Sequence, residues 1–237
     1  MRKEPYTVGS FVHVMKRGAR GMPIVQDDDD RWRFLLILNH FNDHFHSGNW
    51  FRDLLDEKIS NTLRRASVWP DKRPLVDIEA FTLMPNHFHL VLKEIEEGGI
   101  SKFMRKIGVG VANHANSKYN EKGSIFQGPY RLRTISEDSY FRYVGIYIMV
   151  KNTLELFPGG LKKANAKFDE AWEWGIHYPF SSLGHFAEVV DSPIITAKSF
   201  LKELFPTLAD LKGFSRDLIQ GRVNPASALR DNELEAF

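Results

Sequence analysis

Met84-Pro-Asn-His-Phe-His-Leu-Val-Leu-Lys93 is the stretch that decides how this chain is read. In a strand, residues i and i+2 point to the same face, so His87 and His89 look one way while Phe88 and Leu90 look the other. Two imidazoles side by side on one rigid strand make half of a metal site. Phe81, Leu83, Phe88, Leu90 and Leu92 are expected to anchor this part of the chain in a core. Pro85-Asn86 reads as a tight turn, which makes 75–83 and 87–93 an antiparallel hairpin. The pair is then expected at the start of a strand, near a sheet end, where a substrate reaches it. Surface histidines on an exposed strand share this spacing, so spacing alone leaves both readings standing.

Upstream of the hairpin, residues 11–16 are rich in β-branched and aromatic types and predict a strand, followed by the basic, glycine-bearing turn Arg17-Gly18 to Gly21. Asp27 to Asp30 supplies a cap and an acidic first turn for a helix over 29–46. Its end carries His40, His44 and His46; His40 and His44, at i and i+4, are read as surface residues, with a shared metal as the lesser alternative. Residues 47–73 are polar and irregular and predict an insertion, with a helix near 52–66. Downstream, Phe103, Ile107, Val111 and Ala115 recur at helical spacing over 100–119. Extended character returns over 125–135, interrupted at Gly128-Pro129. A helix is expected over 138–151, with Tyr140, Tyr143, Tyr147 and Lys151 along one face. Leu156 to Gly160 breaks it, and the rest reads as a tail with an aromatic knot (Trp172, Trp174, Tyr178, Phe180) and short helices over 197–205 and 208–220.

The 237 residues, 43% of them hydrophobic, are enough for one domain with embellishments. No run of eighteen apolar residues occurs, so no membrane span is expected. Met-Arg-Lys-Glu-Pro-Tyr lacks an apolar stretch, so no secretory signal is expected and a cytoplasmic location follows. The absence of cysteine removes disulfides, thiolate zinc sites and cysteine nucleophiles together. The net charge of +2 is small, but basic residues gather locally at Arg64-Arg65, Lys102 to Lys106 and Arg131 to Arg133.

Four stretches, in order, resemble one family. They are Val12-His-Val14 with Lys16-Arg17-Gly18, Leu83 to Leu92, Gly123-Ser-Ile-Phe-Gln-Gly-Pro-Tyr130, and Tyr178-Pro-Phe-Ser-Ser182. The chain resembles the HUH single-tyrosine transposases of insertion sequences, most closely the REP-associated tyrosine transposases, over roughly residues 8–185. The resemblance implies an α+β, ferredoxin-like HUH core with a central antiparallel sheet flanked by helices. The expected organisation is a catalytic domain over 8–160, with 47–73 inserted, and a helical, aromatic C-terminal tail over 161–237. It further implies cleavage and rejoining of single-stranded DNA near hairpins through a 5′-phosphotyrosine. Tyr147 falls on the nucleophile, and His87 and His89 fall on the ligands of Mg²⁺ or Mn²⁺.

One position departs from the family pattern. An asparagine or glutamine four residues after the tyrosine usually completes the metal site, whereas here that position is Lys151 and Asn152 comes next. A protonated lysine has no lone pair for a metal. Either Asn152 takes the role after a small rotation, or water does, or His13 does from a neighbouring strand. Lys151 then serves the phosphate or lowers the tyrosine pKa. Phosphate contacts are expected from Arg17, Lys102, Arg105, Lys106, Arg131 and Arg133; Trp50 and Trp69 are expected to pack in the core or tail, with base stacking as their alternative role. The expected partner is single-stranded or hairpin DNA, bound by a monomer or a homodimer. Two other readings stand beside this one. One is a DNA-binding protein of the same fold whose catalysis has been altered. The other is a His-x-His zinc hydrolase, which wants a nearby third histidine or carboxylate that the sequence does not supply.

Overall fold

The structure, a computed structural model, describes residues 5–223; the last part of the expected tail, 224–237, lies outside the described residues. Four strands, β1 (Phe11–Arg17), β2 (Val76–Met84), β3 (His87–Glu94) and β4 (Arg131–Ile135), form one antiparallel sheet in the order β2-β3-β1-β4. Helix α1 (Asp28–His40) and the short α2 (Trp50–Asp56) connect β1 to β2, and α3 (Gly99–Tyr119) connects β3 to β4. Strand β3 lies between β1 and β2, and β1 lies between β3 and β4. Two split β-α-β units thus interlock, which is the ferredoxin-like arrangement and the α+β class expected from the sequence.

Alternation along the strands gives the sheet two unlike faces. Val12, Val14, Phe81, Leu83, Phe88, Leu90 and Leu92 share the first face, and all are buried. Helices α1 and α3 cover it: the Phe34 ring stands 5.1 Å from Phe88, and Phe103, Ile107 and Val111 are buried with them. The helices approach closely at Gly110, where a Cβ would lie 2.6 Å from the Phe41 ring. They are also joined through the buried Asp30, which accepts from His114 (2.9 Å), Lys118 (2.8 Å), Tyr119 (2.6 Å) and the Gln26 amide (2.8 Å). Burial alone would raise this carboxyl; the donors, Lys118 foremost, hold it well below the usual carboxylate range.

Helix α1 starts where its acidic cap predicts, with Asp27 accepting from the Asp30 amide, but ends six residues earlier than expected. Asn42 bonds the backbone of Leu75 and Val76, and buried Asp43 pairs with Arg65 at 2.7 Å, so the chain turns away to meet β2. His40 is buried against Trp69 rather than on the surface. The insertion has its own small core of Leu36, Leu54, Ile59, Ala66 and Trp69. Helix α2 stops short of the expected residue 66 because Lys58 adopts a left-handed φ of 56°. The Lys58 and Ile59 amides then close a Schellman-type end on Leu55 and Leu54.

The chain after β4 covers the second face. It runs through α4 (Asp138–Ile146), a π-turn (Tyr147–Lys151) and α5 (Asn152–Glu155), then α6 (Gly160–Ala166) and α7 (Phe168–Ile176), then α8 (Leu183–Phe186), α9 (Phe200–Leu204) and α10 (Leu208–Ile219). Phe141 of α4 packs edge-on to Phe11 at 4.7 Å. The stretch Phe180–Ser182 lies along the outer edge of β2: the Leu83 amide donates to the Phe180 carbonyl and the Ser182 amide to the Phe81 carbonyl, each at 2.9 Å. A bulge between Ile78 and Ala80 aims buried Glu79 at Ser199 (2.6 Å) and the Leu201 amide (3.2 Å), fixing the start of α9. Among the described residues, no helix is long and apolar enough to cross a membrane.

Candidate active site

Cross-strand pairing collects one set of residues on the second face. Arg17 stands opposite His87, Met15 opposite His89 and His13 opposite Val91, while Thr82 and Met84 of β2 flank His89 and His87. On the other side of β1, Arg131 and Arg133 of β4 face Met15 and His13. The sheet thus carries three histidines and three arginines on the face that α4 and the π-turn close over.

The His87 and His89 rings are 4.8 Å apart at 80°, on one face as alternation requires. The site is not open to substrate in the way the sequence suggests: His87 is 6% exposed and His89 is fully buried, both roofed by the chain after β4. The tautomer of His87 is set by its neighbour. Asn86 donates through Nδ2 to the Gly21 carbonyl (3.2 Å), which turns its Oδ1 toward His87 Nδ1 at 2.6 Å. An amide oxygen only accepts, so His87 Nδ1 carries a proton, and in the neutral ring Nε2 keeps the lone pair. His89 Nδ1 lies 2.8 Å from Nε2 of His13, the two rings nearly parallel at 20°. His89 Nε2 is buried with no hydrogen-bond partner among the described residues. Burial, followed by the positive fields of His13 and His87 when charged and then of Arg17 and Lys151, pushes the His89 pKa well below its ordinary value. Burial, aided by Arg133, lowers that of His13 to about 3. Both imidazoles are therefore neutral near pH 7 and keep lone pairs.

Tyr147 is fully buried beside them, its ring 6.3 Å from that of His89 and at 78° to it. Tyr143 stands behind it at 6.2 Å. The Lys151 ammonium lies 4.4 Å from the Tyr147 ring centre and pairs with Glu155 at 2.9 Å. The expected continuous helix is broken in its backbone bonding at this point. The Asn152 amide bonds the Tyr147 carbonyl, five residues back, instead of Ile148. The Ile148 carbonyl takes Thr82 Oγ1 from the sheet at 2.5 Å, and Thr82 is the cross-strand neighbour of His89. A wide turn thus replaces an α-turn where the helix crosses the histidines, and Asn152 comes one wide turn after Tyr147. Asn152 is fully buried, and neither its oxygen nor its nitrogen has a hydrogen-bond partner among the described residues.

No group of three or more His, Cys, Asp or Glu able to hold a metal occurs among the described residues. The donors this face offers a cation are instead two imidazoles and a buried amide: His87, His89 and Asn152. Imidazole with amide and water oxygen suits Mn²⁺, and Mg²⁺ at its more oxygen-rich end. His13 turns its Nε2 to His89 rather than to a shared centre.

The basic residues expected to meet DNA fall into two groups. Arg17, Arg131 and Arg133 are on the histidine face. Lys102, Arg105 and Lys106 belong to α3, over the other face, whose first turn is tied to Glu94 at the far end of β3 from His87. Lys102 pairs with Glu96, and Lys106 donates to the carbonyls of Asp43 and Phe45. Trp69 bonds Asp53 inside the insertion core, and Trp50 packs on Phe41 at 5.0 Å, so both serve packing. Thr82 and the orienting role of Asn86 were not foreseen. A single threonine in a strand carries no signal, and Asn86 was read only as a turn residue.

No curated protein matches the sequence. A solved structure described as the REP-associated tyrosine transposase bound to a REP hairpin is similar, at 15% identity and a TM-score of 0.45, over 83% of this chain and 90% of that one. The model of the family described as transposase IS200 like matches residues 50–151, from the first residue of α2 to the last of the π-turn. Across β2, the histidine strand β3, α3, β4 and the tyrosine helix, this chain is thus similar to the IS200-like transposases.

Proposed function

We propose that this protein is a DNA strand transferase that cleaves and rejoins single-stranded DNA near hairpins through a 5′-phosphotyrosine. The observation that carries the reading is the packing of the Tyr147 ring at 6.3 Å from that of His89, on the face where the His87 and His89 imidazoles lie together. His87, His89 and Asn152 would hold Mg²⁺ or Mn²⁺. When bound, the ion supplies Lewis-acid polarisation of a non-bridging phosphate oxygen.

The chain's own residues supply the rest. Tyr147 loses its phenolic proton to solvent, and its oxygen attacks the phosphorus in line. The new O–P bond forms as the P–O3′ bond breaks, and the departing 3′-oxygen is protonated. The reverse attack by a 3′-hydroxyl rejoins DNA with no further energy source, because the phosphodiester bond has been exchanged rather than hydrolysed. Lys151, 4.4 Å from the Tyr147 ring, favours the phenolate by its charge and offsets the charge of the phosphate. Arg17, Arg131 and Arg133 hold the flanking phosphates. Tyr147 is buried in this DNA-free state, so the roof over the histidines must shift to admit a strand.

The runner-up is a DNA-binding protein of this fold with altered catalysis, favoured by Lys151 at the position of the usual amide and by its pairing with Glu155. One assay separates the two. Labelled single-stranded DNA carrying the target hairpin is incubated with the protein and Mn²⁺, and a denaturation-resistant adduct is sought. An adduct lost in Tyr147→Phe and kept in Tyr143→Phe supports the transferase. Hairpin binding with no adduct from the wild-type protein sinks it in favour of the binding protein.

A further inference from the structure

We infer that His13 is a positioning residue that accepts the Nδ1 proton of His89 through its own Nε2 and so holds the His89 Nε2 lone pair toward the cation; this rests on the metal reading above. One hydrogen lies between the two nitrogens 2.8 Å apart, and it belongs to one ring or the other. His89 Nδ1 is taken up by His13, so Nε2 is the nitrogen left to face a cation, and a nitrogen that binds a cation carries a lone pair rather than a proton. The proton of the neutral His89 ring therefore sits on Nδ1, pointing at His13 Nε2. His87 shows the same arrangement by a different means, because Asn86 Oδ1 can only accept.

The two histidines of the pair are thus held in the same tautomer by two unlike neighbours, an amide in the hairpin turn and an imidazole on the adjacent strand. An acceptor that takes the other ring N–H of a metal-binding histidine fixes the ring's orientation and raises its basicity as a ligand. The near-parallel stacking of His13 on His89, at 20°, additionally restrains the ring about its χ2. The Val12-His-Val14 stretch owes its place in the site to this bond: its flanking valines lie on the first face, and His13 alone of the three reaches the second.

The test uses the full chain and Mn²⁺ as probe. His13→Phe keeps a ring but removes the acceptor, and His13→Gln restores an acceptor at about the distance of Nε2. Calorimetric Mn²⁺ titration is expected to show binding weakened roughly 10–100-fold in His13→Phe and within about threefold of wild type in His13→Gln. Long-range ¹H–¹⁵N spectra of metal-free, histidine-labelled wild-type protein are expected to show His89 protonated at Nδ1 and bare at Nε2. This measurement decides the matter even if His13→Phe fails to fold. A wild-type His89 protonated at Nε2 overturns the proposal, as do equal losses in Phe and Gln, which would mark a packing role. Wild-type affinity in His13→Phe overturns the His13 assignment alone. Failure of the wild-type protein to bind Mn²⁺ overturns the metal reading, and this proposal with it.

Discussion

The two faces of one sheet are built from the same strands and buried equally well, yet they hold opposite kinds of residue. On the first, Val12, Val14, Phe88, Leu90 and Leu92 meet the apolar sides of α1 and α3. On the second, His13, His87, His89 and Thr82 are buried with Tyr147, and every gain in packing is set against the desolvation of polar atoms. Residues next to each other in sequence therefore belong to different economies: Phe88 holds the fold together, while His87 and His89 draw on its stability. Buried polar groups without partners, such as those of Asn152, are tolerated in a native structure where something other than packing requires them.

Substitutions on the two faces should separate stability from chemistry. The largest effect is expected from Tyr147→Phe, which removes one oxygen and leaves the ring. The covalent adduct should vanish altogether while the melting temperature changes little, both read on one preparation. Replacing His87 and His89 together by Ala should abolish Mn²⁺ binding and lower cleavage on the order of 10²–10⁴-fold. Titration of that variant in parallel with a cleavage assay checks it, and retained Mn²⁺ binding would place the ion elsewhere. On the first face, Phe88→Ala should cost about 3–5 kcal/mol of stability by denaturant melting. Its Mn²⁺ affinity should persist at temperatures where it is still folded. If instead affinity falls in step with stability, the faces are not separable.

Smaller effects sharpen the contrast. Asn152→Leu removes a buried amide with no partner and should stabilise the protein by about 1–3 kcal/mol while weakening Mn²⁺ binding. A loss of both stability and affinity would make Asn152 structural. The salt dependence of hairpin binding should distinguish the two basic groups: Arg131→Ala lowers the slope of log K against log salt by about 1, and Lys102→Ala leaves it unchanged. Equal changes would mean that DNA runs across both faces of the molecule.

Much of this was legible in the sequence because alternation is a local property. The hairpin through Pro85-Asn86, both neighbouring strands and helix α3 follow from residues within a few positions of each other. The closure over His87 and His89 did not follow, because the covering residues lie some sixty positions downstream. The burial of His40 did not follow for the same reason, since the Trp69 ring that covers it belongs to a core assembled by tertiary contacts. Lys106 reads as a surface cation, and only the fold brings the Asp43 and Phe45 carbonyls to it. The π-turn has no signature in composition; it depends on Thr82, on a strand far away in sequence, bonding the Ile148 carbonyl.

That turn also bears on how such chains are compared. A wide turn holds one residue more than an α-turn between its bonded groups. An alignment drawn without a gap sets Lys151 in the column of the expected amide and scores the site as lost. With a single gap placed inside Tyr147–Lys151, Asn152 moves into that column and the site scores as intact. The family match itself stops at residue 151, one short of the asparagine. A sorting of active from inactive members by a fixed offset from the tyrosine would discard any chain with such a wide turn, and counting hydrogen-bonded turns instead of residues would keep it.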